Sequence, residues 1–297
     1  MANIYGTQEE YIKAYEKLQE QKINVSALIS FAEINYDKKE ELVVYKNDPK
    51  YRPNNYNYRI DNIFHQLIST FYKINTTDNT YDTYKKLYKV SYLDNTDDDT
   101  NDYKDETMLK LNKIFSFVCD NSDKDFTGIE LLTAIRKEAT GTEENLRGDY
   151  YDTLFNMLKK QSDAIRKETD FDAKMKYLPD FFYDVADMEN HLFRKKLFVD
   201  DYRKSVTGLI NYLLLRAQLP LIYIKPIELD KYYESVIKVN EMFDSDEIIT
   251  FYKEKMCDSI NEDLIKPMKK ISMGHINSEI KKLTLGIDDD FPEIRTE

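Results

Sequence analysis

The strongest pattern of apolar residues in this chain lies at residues 202–226, which read YRKSVTGLINYLLLRAQLPLIYIKP. Apolar side chains recur there at helical spacing, at Val206, Leu209, Ile210, Leu213, Leu214 and Ala217. Steps of three and four residues place such side chains on one face of an α-helix. From Pro220 to Pro226 the apolar run continues between two prolines, which predicts a short extended segment. The stretch therefore predicts a well-buried helix with an extended exit.

Stripes of the same kind recur along the rest of the chain. The clearest one in the N-terminal half consists of Ile60, Ile63, Phe64, Leu67, Ile68 and Phe71. Similar spacing predicts further helices at about 26–41, 81–92, 108–118, 143–167, 229–243 and 246–265, and another after Pro179. Capping-box patterns mark two helix starts, at Thr7 with Glu10 and at Thr127 with Glu130.

Composition favours the same class of fold. Only seven of 297 residues are glycine, whereas Rossmann, P-loop and β-rich folds use glycine at turns and phosphate loops. Polar stretches at 47–57 and 94–106 read as loops. We predict an all-α protein with a multi-helix bundle at 125–265, an additional N-terminal helical region at 1–124 and a C-terminal extension at 266–297. A single continuous helical domain is an equally good interpretation of the boundary.

The charge balance limits the partners. A net charge of -12 with no basic stripe repels phosphate backbones, so we expect no nucleic-acid partner. No run approaches 18 apolar residues, so we expect no membrane partner and a cytoplasmic location. Cys119 and Cys257 show no metal or redox spacing and are expected to be reduced thiols.

The acidic stretches do not match a calcium site. An EF-hand loop needs Gly at its sixth position and Glu at its twelfth. Neither a start at Asp94 nor one at Asp97 meets this pattern. A start at Asp123 places Gly128 sixth but Ala134 twelfth. The first run is interpreted as a solvated loop and the second as part of the capping box.

Residues 210–224 of this chain resemble the segment that follows the active loop in Fic (Fido-type) proteins. In that family an apolar helix ends in an Asn-x-Leu-Leu-Leu-Arg-Ala-x-x-Pro pattern, which here runs from Asn211 to Pro220. The following segment, 229–241, resembles the next helix of the family, with its Tyr-Tyr-Glu start at residues 232–234. The resemblance covers about 196–256.

The resemblance implies a site in the turn before this helix. The Fic signature HPFx[D/E]GNGRxxR aligns without gaps on residues 196–207. It implies that Lys196 stands at the position of the catalytic base and that Asp200 stands at the catalytic acidic position that holds Mg²⁺. Phe198, Arg203 and Lys204 then stand at nucleotide-binding positions, with ATP and Mg²⁺ as the implied cofactors.

Several signature positions differ from the family. A protonated lysine at position 196 is a poor base at neutral pH, where the family has histidine. Asp201 and Arg203 replace two glycines, which makes a phosphate-wrapping turn harder to form. A register starting at His191 would restore the histidine, but only through a five-residue insertion. The same residues can also be read as an ordinary first turn of a helix, with acids favourably placed.

An upstream segment resembles the inhibitory [S/T]xxxE[G/N] motif of many Fic proteins. The match consists of Thr140, Glu144 and Asn145, which the resemblance makes regulatory residues. The same residues can also be explained by a helix that has Thr142 as its N-cap and Glu144 and Asn145 in its first turn.

The sequence therefore predicts a degenerate Fic-domain signalling protein. It would be related to adenylyltransferases, which move AMP from ATP to a protein hydroxyl, with that activity lost or altered. Its partners would be a protein partner or target and a nucleotide. The alternative is a non-catalytic helical protein-interaction module, either on this scaffold or unrelated to it.

Overall fold

The computed structural model describes residues 12–13, 15–46, 53–74, 106–141, 149–195, 202–224, 228–241 and 245–274. These residues are all-α, and no strand occurs among them. The helices are α1 (Val25–Lys46), α2 (Pro53–Ile74), α3 (Glu106–Asn121), α4 (Gly128–Thr140), α5 (Asp149–Lys167), α6 (Phe171–Lys195), α7 (Tyr202–Arg216), α8 (Leu229–Glu241) and α9 (Asp246–Ile260). No helix in these ranges is long and apolar enough to cross a bilayer.

Helix α7, which was predicted from the apolar pattern at 202–226, is the centre of one group of helices. It packs against α3, α4, α5 and α6. All of residues 205–215 are buried, because neighbours cover the helix on every side. Its apolar side chains fill the middle of this group.

A second group of helices meets the first through α6. In this group α9 packs against α2, α8 and α6, and α1 packs against α2. The edge-to-face contact of Phe64 with Phe182 joins α2 to α6. The 25-residue α6 is thus shared by both groups and couples their cores.

The apolar stripes predicted for α2 and α7 are confirmed, because all twelve side chains are buried. The capping box at the start of α4 is also confirmed. The Thr127 hydroxyl accepts a hydrogen bond from the Glu130 amide, and the Glu130 carboxylate accepts one from the Thr127 amide. The helix ends at Gly141 in the left-handed region, with φ 73°.

Two prolines lie in helices where the sequence predicted otherwise. The loop expected at 47–57 was wrong for its last five residues, because α2 begins at Pro53. Proline is favoured in a first turn, where its missing N–H has no intrahelical partner to lose. The helix expected after Pro179 begins eight residues earlier, and Pro179 lies inside it on the solvent face. Water can hydrate the carbonyl that this proline leaves without a donor.

The end of α9 widens into a π-helical turn at Asn261–Ile265, after which the helix continues to residue 274. The Lys266 amide donates to the Asn261 carbonyl, five residues back. The helix predicted at 246–265 therefore extends further. Single π-turns insert one extra residue into a helix and shift the side chains that follow.

Contacts cross the boundary predicted at 124/125, and the last helix runs without a break through the one predicted at 265/266. Helices α2 and α3 pack on α9 and α7, and α1 packs on the π-turn. The division into regions stays a prediction. The capping box at Thr7, the helix at 81–92, the loop at 94–106 and residues beyond 274 lie outside the described residues.

Helix α7 lies close to two neighbouring helices at Gly208. A Cβ atom added there would lie 2.4 Å from Cγ2 of Ile114 and 3.2 Å from Cγ2 of Ile135. These atoms belong to α3 and α4, so only a residue without a side chain fits between the three helices.

We expect Gly208→Ala to lower the free energy of unfolding by about 1–3 kcal/mol, because the new methyl group overpacks the core. Urea denaturation followed by helical circular dichroism measures this change. Gly274→Ala is the matched control, since nothing lies within 4 Å of the added Cβ. Equal stability of the two variants would contradict the packing described for α7.

Candidate functional site

The structure describes only part of the site implied by the Fic resemblance. Lys196, Phe198 and Asp200 lie outside the described residues. Arg203 lies in the first turn of α7, and its side chain is likewise outside the description. Lys204 lies beside it in the same turn and is half-buried. The structure thus places two of the five residues together at a helix N-terminus.

Of the residues implied to be regulatory, Thr140 is described, whereas Glu144 and Asn145 are outside the described residues. Thr140 is the last residue of α4. Its hydroxyl donates to the Arg136 carbonyl at 3.0 Å. This bond back to the preceding turn is common for threonine in helices.

The asparagine of the family-like pattern links α7 to its extended exit. The Nδ2 atom of Asn211 donates to the Ile222 carbonyl at 2.9 Å, and Oδ1 accepts from the Ile222 amide at 2.9 Å. Both residues are fully buried. The side chain thus satisfies both backbone groups of Ile222, which lacks regular structure.

The turn between these two residues is a Schellman motif. Gln218 adopts φ 57°, in the left-handed region. Its amide donates to the Leu215 carbonyl, and the Leu219 amide donates to the Leu214 carbonyl. This geometry ends α7 and reverses the chain toward Ile222.

The arginine of the pattern connects α7 to α5 and to the turn before α4. Arg216 donates from Nε to Oδ1 of Asp163 at 2.7 Å and from Nη2 to Oδ2 at 3.0 Å. It also reaches Oδ1 of Asp125 at 3.2 Å and the Lys124 carbonyl at 3.3 Å. Burial works to lower the pKa of Arg216, but its interactions with Asp163 and Tyr212 together outweigh this effect, and the pKa is raised.

Tyr212 lies one helical turn before Arg216, and it also binds the segment that precedes α4. Its hydroxyl donates to the Lys124 carbonyl at 2.6 Å, and its ring packs edge-to-face on Phe126. Burial raises the pKa of this hydroxyl. Asn211, Tyr212 and Arg216 therefore all serve to hold α7 and its exit in the bundle.

Within the described ranges, no three His, Cys, Asp or Glu side chains are grouped as metal ligands. Asp200, the residue implied to hold Mg²⁺, is not among these residues. The described part of the site therefore consists of a helix N-terminus with the half-buried Lys204 side chain. Such a terminus suits an anion, because its free N–H groups and the helix dipole both favour negative charge.

A buried ionic network that the sequence did not reveal joins α1 to α9. Lys39 donates to Asp258 at 2.5 Å and Lys255 donates to the other carboxylate oxygen at 3.0 Å. Lys255 also reaches Glu228 at 2.5 Å, and the Tyr36 hydroxyl donates to Asp258 at 3.0 Å. Burial works to raise the pKa of Asp258, but the two ammonium groups outweigh it and lower the pKa.

A buried carboxyl group of a different kind lies where α6, α8 and α9 meet. Glu189 of α6 accepts hydrogen bonds from the hydroxyls of Tyr232 on α8 and Tyr252 on α9. Glu189 is only 4% exposed. Burial raises the pKa of its carboxyl to about 8, although the Tyr252 bond acts in the opposite direction.

Both clusters leave a weak signal in the sequence. Glu189 follows Val185 by four residues and precedes Leu192 by three, so it occupies a position on an apolar face. Lys39 precedes Leu42 by three residues in the same way. A charged residue in an apolar stripe indicates a buried polar partner, but does not identify it.

We expect a double-mutant cycle of Arg216→Met and Asp163→Asn to show a coupling energy of about 1–3 kcal/mol, because the bidentate pair is mostly shielded from water. Urea denaturation of the four proteins measures it. The matched control is Arg166 with Asp123, whose side chains are 42% and 58% exposed. That pair should couple by less than about 0.5 kcal/mol. Equal coupling in the two cycles would contradict a role for Arg216 in holding α7.

Comparison with known proteins identifies no family for this chain. No protein-family model, no curated protein and no solved structure matches the chain.

Proposed function

We propose that this chain is a degenerate Fic-type protein that acts in the cytoplasm by binding a protein partner, with AMP transfer lost. The observation that carries the proposal is the composition of residues 196–203, where the Fic signature aligns. Lysine stands at position 196 in place of the base, and Asp201 and Arg203 stand in place of two glycines. A segment of this composition is poorly suited both to proton abstraction and to wrapping a phosphate.

The described contacts are compatible with a scaffold role. Asn211 and Arg216, which carry the resemblance, hold α7 in the bundle. They would support the same turn-to-helix element whether or not the loop still binds a nucleotide. The family relationship is therefore separable from the activity, and each needs its own test.

Exposed aromatic side chains support the partner-binding part of the proposal. Tyr177 and Tyr183 on α6 are 49% and 51% exposed. Tyrosine contributes much contact area at low entropic cost and is enriched in protein interfaces. A protein partner is therefore a better match to this surface than a nucleic acid, which the net charge of -12 would repel.

Nucleotide binding without transfer is the second candidate. Arg203 and Lys204 in the first turn of α7 favour it, because a helix N-terminus beside basic side chains suits a phosphate group.

Isothermal titration calorimetry with ATP and Mg²⁺ tests the proposal, with GTP and CDP-choline titrated in parallel. We expect no saturable heat from the wild-type protein, because the loop lacks the glycines that wrap phosphates. Saturable heat that Asp200→Ala abolishes would contradict the loss of function and favour the second candidate.

A restored loop tests the family relationship independently. We expect the triple variant Lys196→His, Asp201→Gly, Arg203→Gly to bind ATP with Mg²⁺, because it regains the base and both glycines of the signature. The matched control carries Asp201→Ala and Arg203→Ala, which remove the charges without restoring glycine. If the restored variant folds and gives no more heat than the control, the Fic relationship fails. A helical interaction module unrelated to that family would then remain.

A further inference from the structure

The junction of α6, α8 and α9 contains an ionisable group that has no counter-ion in the described part of the chain. Glu189 is bonded to Tyr232 and Tyr252, and no Lys, Arg or His among the described residues forms an ion pair with it. An ionised carboxylate removed from water is costly unless a cation or several hydrogen bonds compensate it. Two hydroxyl donors compensate only part of that cost.

Helix α8 depends on this junction for its position. Within the described chain its main packing partners are α6 and α9. Two adjacent residues of α6 hold it, since Glu189 bonds Tyr232 and the side-chain amide of Asn190 donates to the Val236 carbonyl. An exposed ion pair of Lys238 on α8 with Glu247 on α9, 2.8 Å apart, also connects these two helices. An exposed pair of this kind contributes little to stability.

We propose that Glu189 and its two tyrosine partners form a proton-dependent clamp that holds α8 against α6 and α9. With a proton on Glu189, the carboxyl group is neutral and the junction carries no uncompensated charge. Loss of that proton creates a buried anion, which favours opening of α8 so that water can reach the carboxylate. The clamp is independent of the proposed function, since none of its residues belongs to the candidate site at 196–204.

The direction of the pH dependence follows from the two states. In the closed state the pKa of Glu189 is raised to about 8, whereas in an open, hydrated state it returns to its ordinary value near 4.5. The closed state therefore holds more protons between these values. Its stability falls as pH rises through this window and levels off above the higher value. Among the described residues, the titratable groups that contact Glu189 are Tyr232 from α8 and Tyr252 from α9. Burial raises the pKa of the Tyr252 hydroxyl well above its usual range.

Hydrogen–deuterium exchange of the full chain tests the clamp, with rates corrected for the intrinsic effect of pH. We expect the opening equilibrium of α8 to rise about 25-fold between pH 6.5 and 8.5, as the linkage of one such carboxyl requires. Helix α4 in the same sample is the internal control, because it does not contact this junction, and its corrected protection should stay constant. This comparison needs no variant. Equal changes in α4 and α8, or no change in either, would overturn the proposal.

Variants then assign the effect to Glu189. Glu189→Gln mimics the neutral acid and should abolish this pH-dependent change in α8. Glu247→Gln, which removes the exposed tie of the same helix, should retain it. Tyr252→Phe removes a donor to the carboxylate and should move the transition to higher pH. A pH dependence that survives in Glu189→Gln would overturn the assignment.

Discussion

The rest of the structure depends on the burial of residues 205–215 of α7. A helix surrounded by four others must be apolar on all sides, must let its neighbours approach closely and must end without leaving backbone groups unpaired. The chain meets these demands with Gly208 at the closest approach, a Schellman turn at Gln218, and Asn211 bonded to Ile222. Arg216 then fixes the end of the helix to α5. The family-like pattern can therefore be explained by what a buried helix and its exit require.

Polar groups in the second helix group divide into two kinds. The network around Asp258 brings two ammonium groups to one carboxylate, so its charges are largely compensated. Within the described ranges the partners of Glu189 are both hydroxyl groups, so its protonation state controls whether the junction contains a net charge. The first arrangement gives a fixed connection between α1 and α9. The second makes the position of α8 responsive to pH. Because α6 is shared by both groups, a change at Glu189 occurs in the helix that also supports α7.

Much of the fold could be predicted from local sequence, because helical spacing and capping are local properties. The stripe from Ile60 to Phe71 and the capping box at Thr127 were predicted for this reason, and both are confirmed. Contacts between distant residues could not be predicted in this way. Glu189 and Tyr252 are 63 positions apart, and Lys39 and Asp258 are 219 apart. The candidate site could be predicted only in part. The resemblance located the first turn of α7, but it could not show which residues of the matching pattern are used for packing.

Urea denaturation of Asn211→Ala tests the central claim, that this side chain fixes the exit of α7. The variant leaves the buried amide and carbonyl of Ile222 without partners, so the free energy of unfolding should fall by about 2–4 kcal/mol. Asn121→Ala is the control, since that side chain donates only to the Phe117 carbonyl of its own helix and is half-buried. It should cost about 1 kcal/mol or less. A loss below about 0.5 kcal/mol for Asn211→Ala would contradict the account of how α7 and its exit are held.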